Sequence, residues 1–358
     1  MTRSPVQIRR ALSILGVAAA ALWALMRSGT GIVPGADWHF AAVAIWPRRP
    51  LNPDEGYLAD SPLGILIFRG LGLHTLQQFL ILSAAAIVLS MAALAIWAFI
   101  TTGSPAKWQA TRISLLAPIG AVLLAWIGMY DPFTALAWAA FLFAWASRNR
   151  ILMALAGALL GFQHFEHAFL GVAALTFTWM ALRAALPPTL SSRNPTWVLP
   201  GLVVGKLILI AVFWTQGTQI GGRNQWLGPY LHDWSAIGAN VLPLLLWSLF
   251  AGWWAIVSFL ALDSSRKQRV YLAAAFLVGL SATFLSGDRP RVFVIVLLPS
   301  VALAGVAFAR QVKPGSRESR VIEAVVWLGT PILFWGKDVA NANIIDLTVT
   351  AGKALLGN

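Results

Sequence analysis

Ionisable side chains cluster in one stretch of an otherwise apolar chain, residues 31–75. Four of the thirteen acids lie there with two histidines and three arginines: Asp37, Asp54, Glu55, Asp60, His39, His74, Arg48, Arg49 and Arg69. Carboxylates and imidazoles serve as general acids and bases, and guanidinium groups match phosphate oxygens. Because ionisable groups near membrane depth are costly, this clustering favours a functional site. A loop that is polar only because it joins two spans is the alternative.

Three later segments add residues that could do chemistry. GMYDPF contains Asp131, GFQHFEH contains His164, Glu166 and His167, and SGDRPR contains Arg289 and Arg291. On a helical tip, the two histidines would share a face and could bind phosphate, orient an acceptor or ligate a metal, although their spacing matches no standard metal signature. The arginines flank Pro290, a spacing suited to holding phosphate, or else they anchor a span at the interface.

The composition predicts an all-α, polytopic membrane protein with one transmembrane domain over residues 1–358. The chain has 358 residues, of which 58% are hydrophobic and 11% charged, and its mean hydropathy is +0.73. A soluble domain of this size does not have such values. The net charge of +13 comes from short basic clusters between apolar runs, as the positive-inside rule describes, which argues against nucleic-acid binding. Since cysteine is absent, disulfide and thiol chemistry are excluded.

Apolar runs predict eleven spans, with a cytoplasmic N-terminus and a long first outer loop, 31–75, that carries two short surface helices in AAVAIW and LGILIF. Residues 113–147 and 151–182 are predicted as hairpins with Asp131 and GFQHFEH at their outer tips. Lys206, inside the seventh span, is expected to snorkel toward the inner interface. The predicted spans are 11–28, 77–101, 113–130, 133–147, 151–162, 168–185, 197–215, 241–262, 270–286, 292–309 and 321–336.

This topology places most of the acids and all five histidines on the outer face, from at least five connections. Four of these residues would lie at the tight turns of the predicted hairpins, which favours a shared pocket: Asp131, His164, Glu166 and His167. A simple excess of long outer loops is the alternative explanation.

The pattern resembles the GT-C superfamily of membrane glycosyltransferases, which use polyprenyl-phosphate-linked sugars. GADWHF resembles the family segment that carries an acid shortly after the first span, and EGYLADSPL resembles the later segment with Tyr and Pro. Two hairpins that follow in the family are resembled by GMYDPFTALAWAAFLFAW and LAGALLGFQHFEHAFLGVAAL. SGDRPRVFVIVLLPSVAL resembles the late segment in which an Arg precedes a span. The resemblance covers about residues 10–310.

The resemblance implies transfer of a sugar to a lipid or glycan acceptor at the outer face of a bacterial inner or cell membrane, without a cofactor unless a divalent metal takes part. It makes Asp37 the base, although Asp37 could instead cap a helix beginning at Trp38. Arg289 and Arg291 would bind the donor phosphate. The supporting residues would be His39, Asp54, Glu55, Asp131, His164, Glu166 and His167. The residues in contact with the sugar or the acceptor would be Trp38, Trp226, Tyr230, His232 and Trp234.

Two other classes of protein fit parts of the pattern. A transporter or lipid flippase would place charges between opposed half-helices near the membrane midplane. A non-catalytic subunit of a membrane assembly would use the outer loop as a docking surface, and its outer acids would not converge on a cavity.

Overall fold

In a computed structural model the chain is a helical bundle. The structure describes residues 5–27, 29–33, 35–48, 60–103, 105–217, 227–239, 241–284, 286–335 and 338–339. Asp54, Glu55 and Trp226 lie outside the described residues. So does most of the tail 338–358, whose sequence is compatible with an amphipathic surface helix.

Sixteen α-helices and two single-turn 3-10 segments account for nearly all of the described chain. A two-residue antiparallel ladder pairs Phe334–Trp335 with Asp338–Val339. The 3-10 segments are Pro195–Val198 and Ala251–Trp253. The helices are α1 Pro5–Met26, α2 Ala36–Ile45, α3 Pro62–Gly70, α4 Leu76–Thr102, α5 Lys107–Leu115, α6 Pro118–Leu124, α7 Asp131–Ala146, α8 Arg150–Leu182, α9 Pro188–Ser191, α10 Leu199–Thr215, α11 Leu227–Ser235, α12 Leu242–Phe250, α13 Trp254–Leu262, α14 Arg266–Thr283, α15 Arg289–Gln311 and α16 Arg317–Leu328.

By length and composition alone, five apolar segments of the described chain could cross a membrane: Leu76–Thr102, Arg150–Leu182, Pro195–Thr215, Leu242–Leu262 and Arg289–Gln311. Arg10–Met26 and Asp131–Ala146 are shorter apolar helices. The membrane character is therefore supported, whereas eleven spans are not confirmed. The predicted helices in the first outer loop are present as α2 and α3, which contain AAVAI and LGILIF.

Helix α8 reverses direction at His164, whose φ of −164° and ψ of 81° are not helical. A straight helix of its length would separate its ends by roughly 50 Å. Yet both ends are tied to one short segment: Arg193 donates to the carbonyl oxygen of Arg148, just before the helix, and Trp179 Nε1 donates to Leu190 O at 3.0 Å. The predicted hairpin over residues 151–182 is therefore present, with His164 at its turn.

Several connections meet at the end of the bundle opposite this turn, which we call the Arg310 end. Arg310 Nε donates to Ala185 O at 3.0 Å, and its Nη1 to Thr102 O at 3.4 Å. Helix α15, which ends beside these contacts, is the centre of the bundle because every residue of its most apolar window is buried. Its other terminus, at Arg289, therefore lies at the opposite end, which we call the Asp131 end.

The crossing predicted over residues 113–130 is broken at Ala117, because Pro118 cannot donate to a continuing helix. The buried guanidinium of Arg27 binds the backbone at this break, with Nη2 donating to Leu116 O at 2.7 Å and to Ala117 O at 3.0 Å. Its Nη1 donates to Gly329 O at 3.3 Å, after the end of α16. Arg27 thus joins α1 to the break between α5 and α6 and to the end of α16.

Two pairs of glycines hold α10 against the first arm of the α8 hairpin. A Cβ atom on Gly157 or Gly161 would overlap backbone atoms of α10 or of the turn before it. A Cβ atom on Gly201 or Gly205 would likewise overlap a carbonyl oxygen of α8. Such small-residue spacing lets membrane helices approach closely.

Candidate active site

Asp131, Asp288 and Arg291 form a buried cluster at the Asp131 end. Asp131 is the first residue of α7, and Asp288 is the N-cap of α15, where its side chain accepts from Arg291 N. The Arg291 guanidinium donates through Nη1 to Asp131 Oδ2, and through Nε to Asp288 Oδ2 at 2.6 Å. Two carboxylates therefore fix one guanidinium between helices that are far apart in sequence.

Burial raises the pKa of Asp288 to about 6, against an opposing effect of Arg291, which lowers it. The carboxylate is fully buried, so the loss of its hydration destabilises the charged form more than the nearby Arg291 stabilises it. Asp288 is thus harder to ionise than a carboxyl group in water.

His39 lies beside this cluster, on the buried face of α2. Its Nδ1 is 2.9 Å from Gly128 O, and Tyr130 donates its hydroxyl hydrogen to His39 O. Gly128 has a φ of 104°, which glycine permits in the tight turn before α7. Burial lowers the pKa of His39, and Arg291 acts in the same direction. The neutral imidazole is therefore favoured in this position.

Gln163 ties the α8 hairpin to the same turn. Its Nε2 donates to Tyr130 O at 3.1 Å, and its Oε1 accepts from Leu63 N at 2.8 Å, at the start of α3. The segment before α3, the turn before α7 and the α8 hairpin therefore meet around Tyr130. A pocket shared by their ionisable side chains stays a prediction.

The imidazoles of His164 and His167 stack with their ring centroids 3.6 Å apart, both largely buried. Glu166 points toward α10, where Lys206 Nζ lies 2.9 Å from its Oε1. The expected snorkelling of Lys206 is therefore wrong, because the opposite charge on the hairpin tip offers its ammonium group a closer partner.

Arg289 is fully buried, and its guanidinium carbon lies 4.9 Å from the ring centroid of Trp234. Trp234 donates from Nε1 to Thr283 O at 3.4 Å. Both arginines of SGDRPR therefore face the interior, which argues against plain interfacial anchors. His232, on the same short helix α11, is exposed, and Tyr230 contributes its backbone to that helix.

Asp37 and Trp38 lie on the exposed face of α2, with Trp38 60% exposed. Gly35, with a φ of 75°, is the N-cap of α2, so the cap alternative for Asp37 is wrong. Asp37 acts electrostatically on His39, raising its pKa. Asp37 is exposed, and among the described contacts it forms no ion pair.

Small apolar cavities lie along α15. One of about 10 Å³ is lined by Phe293 and Val294, two and three residues after Arg291. A second of about 60 Å³ shares Phe250, Trp253 and Leu297 with it and continues toward Ser300. The space beside α15 is thus apolar and has room for only one or a few water molecules.

Within the described part of the chain, no three histidine or acidic side chains are grouped as metal ligands. No protein-family model matches the chain, and no curated protein matches it.

Two residues of the site were not predicted as site residues from the sequence: Asp288 and Gln163. An Asp followed by Pro two residues later, before a long apolar run, is a helix N-terminus signal that could have identified Asp288.

Proposed function

We propose that the protein is a membrane glycosyltransferase of GT-C type that transfers a sugar from a polyprenyl-phosphate donor to a lipid or glycan acceptor on the outer face. The observation that carries the proposal is the meeting of Asp131, Asp288 and Arg291 with His39 at the start of α15, a helix whose following residues are apolar. A donor of this class needs charged groups for its phosphate beside an apolar surface for its chain.

Asp37 is assigned as the base that takes the proton from the acceptor hydroxyl. A base must be reachable by substrate and must not be neutralised by a cation. Asp37 meets both conditions, while Asp131 is bound to Arg291. Trp38, beside Asp37 and largely exposed, offers an apolar face to a sugar ring.

Arg289 and Arg291 are assigned to the donor phosphate, with Asp131 and Asp288 as positioning residues. Fixed donors stabilise the charge that develops on a leaving phosphate. Arg291 already carries two carboxylate partners, so an arriving phosphate would compete with Asp131 for its Nη1 edge. Such an exchange would couple donor binding to a change at the start of α7.

A transporter is the second candidate, favoured by the interrupted helices in the interior. The break between α5 and α6 contacts the break between α12 and α13, because Trp253 Nε1 donates to Leu116 O at 3.0 Å. Discontinuous helices near midplane are typical of transporters. Ala251, with a φ of 48°, marks the second break.

Purified protein in liposomes, supplied with a panel of polyprenyl-monophosphate sugars, separates the two candidates. A transferase releases polyprenyl phosphate and forms a new glycosidic bond in a mixed lipid and glycan acceptor extract. Movement of labelled donor across the bilayer without bond formation would contradict the transferase and favour the transporter.

A further inference from the structure

A polar cavity lies at the Arg310 end, far from the Asp131 cluster. It has a volume of about 370 Å³ and opens between the end of the second arm of α8 and the start of α14. Arg183 and Lys267 contribute its charged walls, and Ser265 and Tyr271 add hydroxyl groups. None of its lining residues is acidic.

The two cations are presented from different helices over aromatic rings. The Arg183 guanidinium carbon lies 5.9 Å from the ring centroid of Trp179, and Lys267 Nζ lies 5.9 Å from that of Tyr271. Such contacts hold long side chains near one place without neutralising their charge. Both residues are exposed, so a ligand can reach them.

The walls of the cavity are fixed by hydrogen bonds. Gln268 Nε2 donates to Ala181 O at 2.9 Å, which ties α14 to the second arm of α8. Gln268 also forms a capping box with Ser265, so the first turn of α14 is ordered. Phe177 and Tyr271 stack with centroids 6.4 Å apart just below. The cavity is therefore built into the joint between two long helices.

We propose that this cavity binds a phosphate group, held between Arg183 and Lys267, with the phosphodiester headgroup of an anionic phospholipid as its main source. Basic pockets between helices near a membrane surface recognise such headgroups. The hydroxyl groups of Ser265 and Tyr271 supply neutral donors to the same oxygens. This site is independent of the chemistry assigned at the Asp131 end.

Native mass spectrometry of the detergent-purified full chain tests the site, with phosphatidylglycerol and phosphatidylcholine titrated in turn. Lys267→Gln and Arg183→Gln should each weaken phosphatidylglycerol binding about tenfold or more, as loss of a charge-assisted hydrogen bond requires. Arg266→Gln is the matched control, since Arg266 is also exposed and adjacent but does not line the cavity. It should weaken binding no more than about twofold.

Inorganic phosphate, added as competitor, distinguishes the sources. Displacement of lipid by millimolar phosphate supports a site for free phosphate, and lipid retention supports recognition of the whole headgroup. Equal weakening by all three variants would reveal only diffuse surface charge and overturn the proposal. Equal binding of phosphatidylcholine and phosphatidylglycerol would overturn it as well.

Discussion

Arg291 and Asp131 are ion-paired in the interior although 160 residues separate them in the sequence. This contact joins the first residue of α7 to the first turn of α15, the buried helix at the centre of the bundle. Because Asp288 holds the same guanidinium, the site is part of the structural core and not an appended loop.

Removing Asp131 should therefore affect both stability and activity. Asp131→Ala leaves Arg291 with one carboxylate partner in a buried setting, and breaking such a pair costs about 3–5 kcal/mol. Thermal unfolding in detergent measures the loss. Asp263→Ala removes an exposed acid and is the matched control. A stability change no larger than that of the control would contradict the assigned importance of the pair.

The pKa of Asp288, raised from 3.8 to about 6, predicts two opposite pH trends. The folded state binds more protons than the unfolded state between these values, so the free energy of unfolding should fall as pH rises from 4 to 6. Transfer activity should rise over the upper part of that range, because ionised Asp288 holds Arg291. Asp288→Asn should remove both trends, and if both persist in this variant, another group is responsible.

Close packing of α10 on the α8 hairpin predicts that a single methyl group is harmful there. Gly201→Ala should destabilise the protein by about 1–3 kcal/mol, because the added Cβ meets backbone that cannot move alone. Gly228→Ala is the control, since its Cβ would meet open space. The two melting temperatures give the comparison, and equal values would be inconsistent with the glycine contact.

Arg27→Met should lower stability by about 2 kcal/mol or more, since several buried carbonyl oxygens lose their donor at once. Arg10→Met, on an exposed position of α1, should have little effect. Yields of monodisperse protein and melting temperatures provide the measurements. Unchanged values for Arg27→Met would show that water or other donors replace the guanidinium.

The sequence predicted the helical class, the short helices of the first outer loop and the hairpin around His164. These follow from long apolar runs and from polar residues at tight turns. The count of eleven crossings stays a prediction. The break at Ala117 and Pro118 was not predicted, because it lies inside a continuous apolar run. Hydropathy does not register a turn whose carbonyl oxygens are bound by a distant side chain such as Arg27.

Within the site, the sequence placed Asp131 and Arg291 on one face but did not pair them. The pairing depends on the register between α7 and α15, which a single sequence does not encode locally. The same limit explains why the ion pair between Lys206 and Glu166, which are 40 residues apart in the sequence, was not predicted. Asp37 was identified by its place after the first span, and its role as base stays a prediction.

A single-turnover assay with Asp37→Asn tests that central assignment most directly, with Asp263→Asn as the control. Glycosidic bond formation should fall by at least about 100-fold in Asp37→Asn, as expected for loss of a general base, while folding and donor binding are retained. Asp263→Asn should react at the wild-type rate. Full activity of folded Asp37→Asn would contradict the role of Asp37 as the base.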